Sequence, residues 1–167
     1  MTMTLIETIE VGAGGAASIE FTSIPQDGVD LVLKVSARTD RSAGADIVSI
    51  QFNGETATTN YSTVYLGGTG SGVSSLSSPD QFGSYTSDDA NTSNTFSNSS
   101  IYISNYTSSA AKSFSSDSVS ENNATAAYQG IAANLWNNTD AITSIKLGVV
   151  YGTNFKQYST ASLYKIS

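Results

Sequence analysis

Residues 30–38 read Asp30-Leu31-Val32-Leu33-Lys34-Val35-Ser36-Ala37-Arg38. Leu31, Leu33, Val35 and Ala37 fall on one side of an extended chain, and Val32, Lys34, Ser36 and Arg38 on the other. That period of two marks a half-buried strand. The same alternation recurs on either side of it. Upstream, Leu5 to Val11 alternates and stops at Gly12-Ala13-Gly14-Gly15, and Ser18 to Thr22 alternates before the loop Ile24-Pro25-Gln26-Asp27-Gly28. Downstream, Val48, Ile50 and Phe52 alternate with Ile47, Ser49 and Gln51 and run into Asn53-Gly54. Asn-Gly is the pair favoured in two-residue hairpins, so a return strand is expected near Tyr61 to Leu66.

From Gly67 to about Thr95 the chain is dominated by Gly, Ser, Thr, Asp and Asn, with Val73, Leu76, Phe82 and Tyr85 as sparse anchors. It reads as a long polar loop, either plain or acting as a contact arm toward a neighbour. Strand character resumes over Phe96 to Ile103, Lys112 to Glu121, Ala126 to Trp136, Ile145 to Tyr151 and Ser159 to Ile166, with turns at Asn105–Ser109, Asn122-Asn123, Asn137–Asp140 and Gly152–Asn154. In Ala126 to Trp136, Ala127, Ile131, Ala133 and Leu135 oppose Tyr128, Gly130, Ala132 and Trp136, and a helix competes with the strand reading. Nine or ten short strands in a chain of 167 residues predict a single all-β domain over 1–167, a two-sheet antiparallel sandwich of Greek-key or jelly-roll type.

Composition narrows the chemistry. The net charge is −7, and the seven basic residues stand singly. They form no stripe for a phosphate backbone, so nucleic acid is not an expected partner. The same acidity disfavours anionic membranes. Cysteine and histidine are absent, which removes disulfides, thiolate and imidazole ligands, Cys nucleophiles and the commonest general base. The N-terminal Met1-Thr2-Met3-Thr4-Leu5-Ile6-Glu7 has no basic region followed by an apolar core, so synthesis in a cytoplasm without a signal peptide is expected.

The candidate sites are few. Asp88-Asp89-Ala90-Asn91-Thr92-Ser93-Asn94 is the densest group of oxygen ligands, but counting from Asp89 an EF-hand would need Gly at Asn94 and Glu at Ser100. A solvated loop is the expectation there, with no metal. Glu7, Glu10, Glu20, Glu55 and Glu121 lie in or next to expected strands, and nothing marks two of them as a glycosidase pair. Trp136 and Tyr85 are the aromatic candidates for a partner or glycan contact, although core or subunit interface is the preferred reading of Trp136 over a sugar platform. Six Asn-X-Ser/Thr sequons read as coincidences of composition, and Gly12-Ala13-Gly14-Gly15 reads as a turn without nucleotide. No catalytic residue and no cofactor is expected.

The phrasing of several segments is suggestive: Ile24-Pro25, Leu31 to Arg38, Phe52-Asn53-Gly54, Asn105 to Ser109, Asp117 to Asn123, Ala141 to Ile145 and Gln157 to Tyr164. Together they resemble small jelly-roll virion proteins of tailed phages, particularly marine and cyanobacterial ones. The resemblance implies a structural protein on the capsid surface, a decoration or cement subunit that binds the major capsid protein, typically as a homotrimer. It implies no catalytic residues. A tail-associated module that binds a receptor or host surface glycan is the alternative, and a glycan depolymerase is a third reading that the missing site disfavours.

Overall fold

The computed structural model describes residues 2–121 and 127–167. Twelve strands appear in chain order: β1 Met3–Glu10, β2 Ser18–Phe21, β3 Asp30–Ser36, β4 Asp46–Phe52, β5 Tyr61–Gly68, β6 Val73–Ser78, β7 Phe82–Thr86, β8 Asn98–Ile103, β9 Lys112–Ser120, β10 Tyr128–Trp136, β11 Ile145–Val149 and β12 Thr160–Ile166. Every strand pairing is antiparallel. One sheet has the order β1-β12-β3-β8-β9-β10-β5-β6, the other β2-β11-β4-β7. The all-β sandwich expected from the alternation is therefore present.

The strand order also settles the topology. Taking β1, β2, β3, β4, β7, β8, β11 and β12 alone, the sheets are β1-β12-β3-β8 and β2-β11-β4-β7. Apart from β4 and β7, which pair within the small sheet, successive strands cross between sheets as in a jelly roll, two interleaved Greek keys. Strands β5–β6 and β9–β10 are insertions that extend only the first sheet. Between the sheets lies the main core, with Ile19, Phe21, Leu31, Leu33, Val48, Ile50, Phe52, Ile101, Ile103, Leu147, Phe155 and Leu163 all buried.

Two expectations need correction. The segment 67–95 is no long loop: β5 runs on to Gly68, and β6 and β7 occupy 73–78 and 82–86. Strand β6 is an exposed edge that buries almost no side chain, and β7 is built around Gly83 and Ser84. Neither therefore shows the apolar alternation that reveals a strand in sequence. The Asn53-Gly54 turn is real, with φ of 52° and 71° and Glu55 N–H donating to Phe52 at 2.9 Å. It closes no hairpin, because β5 joins the other sheet. Asn53 instead ties the turn to residues 141–144, donating to the Ala141 carbonyl and accepting from the Thr143 and Ser144 N–H groups. The strand expected over 126–136 is present as β10, and the competing helix is not formed over its described residues; Ala126 and the expected Asn122-Asn123 turn lie outside the described residues.

The inserted strands overhang the small sheet and close a second, aromatic cluster against β7. Tyr65 lies 5.6 Å from Phe82 and 5.2 Å from Tyr85, and Tyr85 stacks on Tyr128 at 5.6 Å. Gly67 and Gly130 are bare because the Tyr65 ring crosses them: a Cβ at Gly130 would stand 2.2 Å from that ring.

One end of the sandwich is locked by the carboxylates of the buried Asp46 and the partly buried Asp40. Asp46 accepts from the Ile47, Tyr151 and Gly152 N–H groups and from the Thr39 hydroxyl. Asp40 accepts from the Thr153 and Asn154 N–H groups at 2.7 and 3.0 Å. Burial pushes the Asp40 carboxyl up, but the donations from Asn154 and Thr153 together outweigh it and hold the group below its ordinary range. A depressed carboxylate stabilises the fold above its unfolded value and loses that contribution as pH falls through the folded value. Thermal melts are thus expected to show Tm falling below roughly pH 4, with a shallower fall for Asp40→Asn; an unchanged slope would remove Asp40 from the acid response.

Candidate protein-binding face

Along β9, β10 and β5 the outward face is unusually apolar, while the inward face mixes Tyr61, Tyr65, Phe114, Ala132 and Trp136 with polar side chains. The polar inward positions hold Ser116, Ser118, Ser120, Asn134 and Thr63, all buried. They are satisfied mainly by hydrogen bonds: Thr63 donates to Asn134 Oδ1 at 2.8 Å, Ser87 and Ser120 hydroxyls meet at 2.8 Å, and Tyr85 N–H donates to Ser118 Oγ at 3.3 Å. Small polar side chains fit here because β7 passes close beneath β9. The outward positions hold apolar side chains: Val64 is 59% exposed, Leu66 56% and Ile131 58%, joined by Leu135, Val119 and Tyr102.

Register brings these side chains together. Leu66 pairs with Ile131, and Ile131 with Asp117; Val64 pairs with Ala133, which leads through Ser115 to Tyr102. Directly opposed residues on adjacent strands share a face and have neighbouring Cβ atoms. The outcome is a continuous apolar stripe with two adjoining grooves, of ≈ 540 and ≈ 570 Å³, that share Leu66 and Ile131. Serines rim it, with Ser62 and Ser113 opposite Leu135, Ser75 opposite Leu66 and Ser77 opposite Val64. Charges border it as well: Glu121 lines the first groove and Asp117 the second, Asp30 accepts from the Tyr102 hydroxyl, and Lys34 donates to Ser100 Oγ at 2.8 Å. An apolar patch with a polar rim is the surface that marks protein–protein contact.

The aromatic candidates from sequence lie elsewhere. Trp136 is fully buried, its ring 5.3 Å from Phe52, so it is a core residue and offers no face to a glycan. Tyr85 is half-buried with its ring engaged by Tyr65, Phe82 and Tyr128, and burial raises its hydroxyl pKa. The exposed aromatics are Tyr102, Tyr151 and Tyr158.

The Asp88–Asn94 segment is a loop whose Asp89, Ala90, Thr92, Ser93 and Asn94 are exposed, as expected, but it is pinned from below. Asp88 and Asn91 are buried, and Asp88 accepts from the Ala43 and Ala90 N–H groups. Asp89 faces Arg38 at 3.4 Å and Lys156 at 2.9 Å. Both carboxylates are committed to donors, and among the described residues no three acidic side chains converge as a cation site. The five glutamates are spread: Glu7 and Glu10 on β1, Glu20 paired with Lys146 at 3.1 Å on the small sheet, Glu55 bonded to Ala57 N–H and Asn60, and Glu121 at the end of β9.

The outward stripe escaped the sequence reading because both phases of β10 carry apolar residues. One signal did point to it. Trp136 is in phase with Gly130 and Ala132, and a bulky aromatic beside small residues marks the inward phase, which leaves Ile131 and Leu135 outside. Comparison with known proteins finds no matching protein family, no similar curated protein and no similar solved structure.

Proposed function

We propose that this chain is a structural virion protein, a decoration or cement subunit that docks on the major capsid protein of a phage head and stabilises the lattice. The observation that carries this reading is the exposed apolar stripe on the outward face of β5 and β10. Exposing Val64, Leu66 and Ile131 has no benefit to an isolated fold, since covering such side chains is favourable at roughly 25 cal/mol per Å². A protein surface that repeats across a lattice supplies that cover. Jelly rolls serve in viral capsids and in lectins, so the topology supports the class by analogy only. The phage assignment and a homotrimeric state rest on the resemblance in strand and turn phrasing.

The test uses emptied phage heads and the purified chain. Wild-type protein is expected to co-sediment with the heads, and the double variant Leu66→Asp, Ile131→Asp to bind at least about tenfold more weakly with an unchanged Tm, because both side chains are already exposed. A wild-type protein that stays monomeric and ignores the heads overturns the proposal. The tail-associated reading draws on a different part of the molecule, the loop end that carries Tyr158.

A further inference from the structure

Tyr158 stands in the left-handed backbone region, with φ of 71°, and is 62% exposed. Glycine or asparagine adopts that conformation readily, whereas a bulky residue there is a genuine outlier. Neither burial nor a hydrogen bond compensates: among the described residues the Tyr158 hydroxyl has no partner. The surrounding backbone nevertheless holds the residue firmly. Tyr158 N–H donates to the Val11 carbonyl at 2.9 Å, Ser159 N–H to Lys156 at 3.1 Å, Val11 N–H to Ser159 at 2.8 Å and Lys156 N–H to Arg38 at 2.8 Å. Strained residues locked in this way concentrate at ligand clamps.

Tyr158 lines a cleft of ≈ 280 Å³ together with Phe96, Ser93, Asn94 and Gln157 and the charged Arg38, Asp89 and Lys156. The charged groups are committed to one another and to backbone carbonyls. Arg38 donates to the carbonyls of Asn91, Thr92 and Thr95 and to Asp89, and Lys156 donates to Asp89. What remains free for a ligand is neutral: among the described residues the side chains of Ser93, Asn94 and Gln157 make no hydrogen bond within the chain. Two aromatic residues, two amides and a hydroxyl around a cleft of this size match a small ring with an apolar face and several hydroxyl groups.

We propose that this cleft binds a neutral pyranoside, with Tyr158 as the stacking platform and Asn94 and Gln157 as hydrogen-bonding partners of the sugar hydroxyls. The site is independent of the apolar stripe on β5 and β10, so it holds or fails separately from the capsid reading. The geometry also makes an unusual prediction. Tyr158→Gly removes the platform and the backbone strain together.

The probes are methyl β-D-glucopyranoside, methyl α-D-mannopyranoside and N-acetylglucosamine, with adenosine as a planar control, followed by saturation-transfer NMR on the full chain. At least one pyranoside is expected to bind with Kd in roughly the millimolar range. Tyr158→Gly is expected to weaken it at least about tenfold while Tm stays level or rises, and Tyr158→Phe to retain it. Failure of all three sugars up to about 100 mM, preference for adenosine, or sugar binding indifferent to Tyr158→Gly each overturns the proposal.

Discussion

Trp136→Ala is expected to destabilise the fold by about 3–5 kcal/mol, the range for deleting a fully buried large aromatic. In a chain of this length that corresponds to a fall in Tm of roughly 6–20 °C. The indole is fully buried and packs against Phe52, which in turn meets Phe114 edge-on at 5.2 Å and Tyr61 at 6.2 Å. Its removal opens a cavity at the centre of an aromatic cluster. It also strips a neighbour from Lys112, whose Nζ lies 5.7 Å above the ring and donates to the carbonyls of Ser108 and Asp140. Burial lowers the Lys112 pKa, so this ammonium depends on those partners.

Trp136→Phe separates packing from polarity. Among the described residues the indole N–H is buried without a partner, and phenylalanine keeps most of the ring while discarding that donor. Its expected cost is about 1 kcal/mol or less. Urea melts of the two variants check both values. A Trp136→Ala protein as stable as wild type would contradict the core assignment and return the residue to the surface.

Arg38→Ala is expected to cost about 3 kcal/mol or more and to release the segment 88–96. Arg38 is 7% exposed, and its guanidinium is the only described group that reaches the carbonyls of Asn91, Thr92 and Thr95 together with the Asp89 carboxylate. Alanine leaves the Asn91 carbonyl without this donor inside the protein and leaves Asp89 with Lys156 alone. Arg38→Lys is expected to recover less than half of the loss, because a single ammonium cannot reproduce a planar fork of donors. Hydrogen exchange gives the local readout: the Asn91 and Thr95 amides, bonded to the Asp88 and Thr92 carbonyls, should exchange markedly faster in Arg38→Ala. Unchanged protection there would show that the loop is held by Asp88 and Asn91 without Arg38.

Most of the strands were legible in the sequence. Leu31, Leu33, Val35 and Ala37 form the buried phase of β3 as their alternation predicts, and Ile145 and Leu147 do so for β11. The turns at Asn53-Gly54 and Asn105 also lie where the residue types place them, both asparagines adopting positive φ. Strands β6 and β7 were not legible, since an exposed edge and a run of small residues carry no apolar periodicity. Ser116, Ser118 and Ser120 of β9 point inward and Val119 outward, against the ordinary expectation, because β7 passes close enough to hydrogen-bond Ser118.

The candidate sites were far less legible. Trp136 and Tyr85 attracted notice as large aromatics, yet exposure is a property of what packs above a residue. Tyr158 drew none, because its backbone conformation follows from how residues 156–159 are bonded to Val11 and Arg38, far away in the chain.

By itself, then, the sequence determined an all-β chain with its main strands and turns, and it removed thiol and imidazole chemistry by lacking both side chains. Alternation reports a period, and a period says nothing about which phase faces inward or which strand lies alongside. Only the tertiary structure decided that β5 and β6 cross to the larger sheet, that Ile131 and Leu66 face solvent, and that Tyr158 lines a polar cleft. The physical reason is that sheet membership and exposure are fixed by pairings between residues distant in sequence, such as Leu66 with Ile131 and Met3 with Ile166, for which no local signal exists.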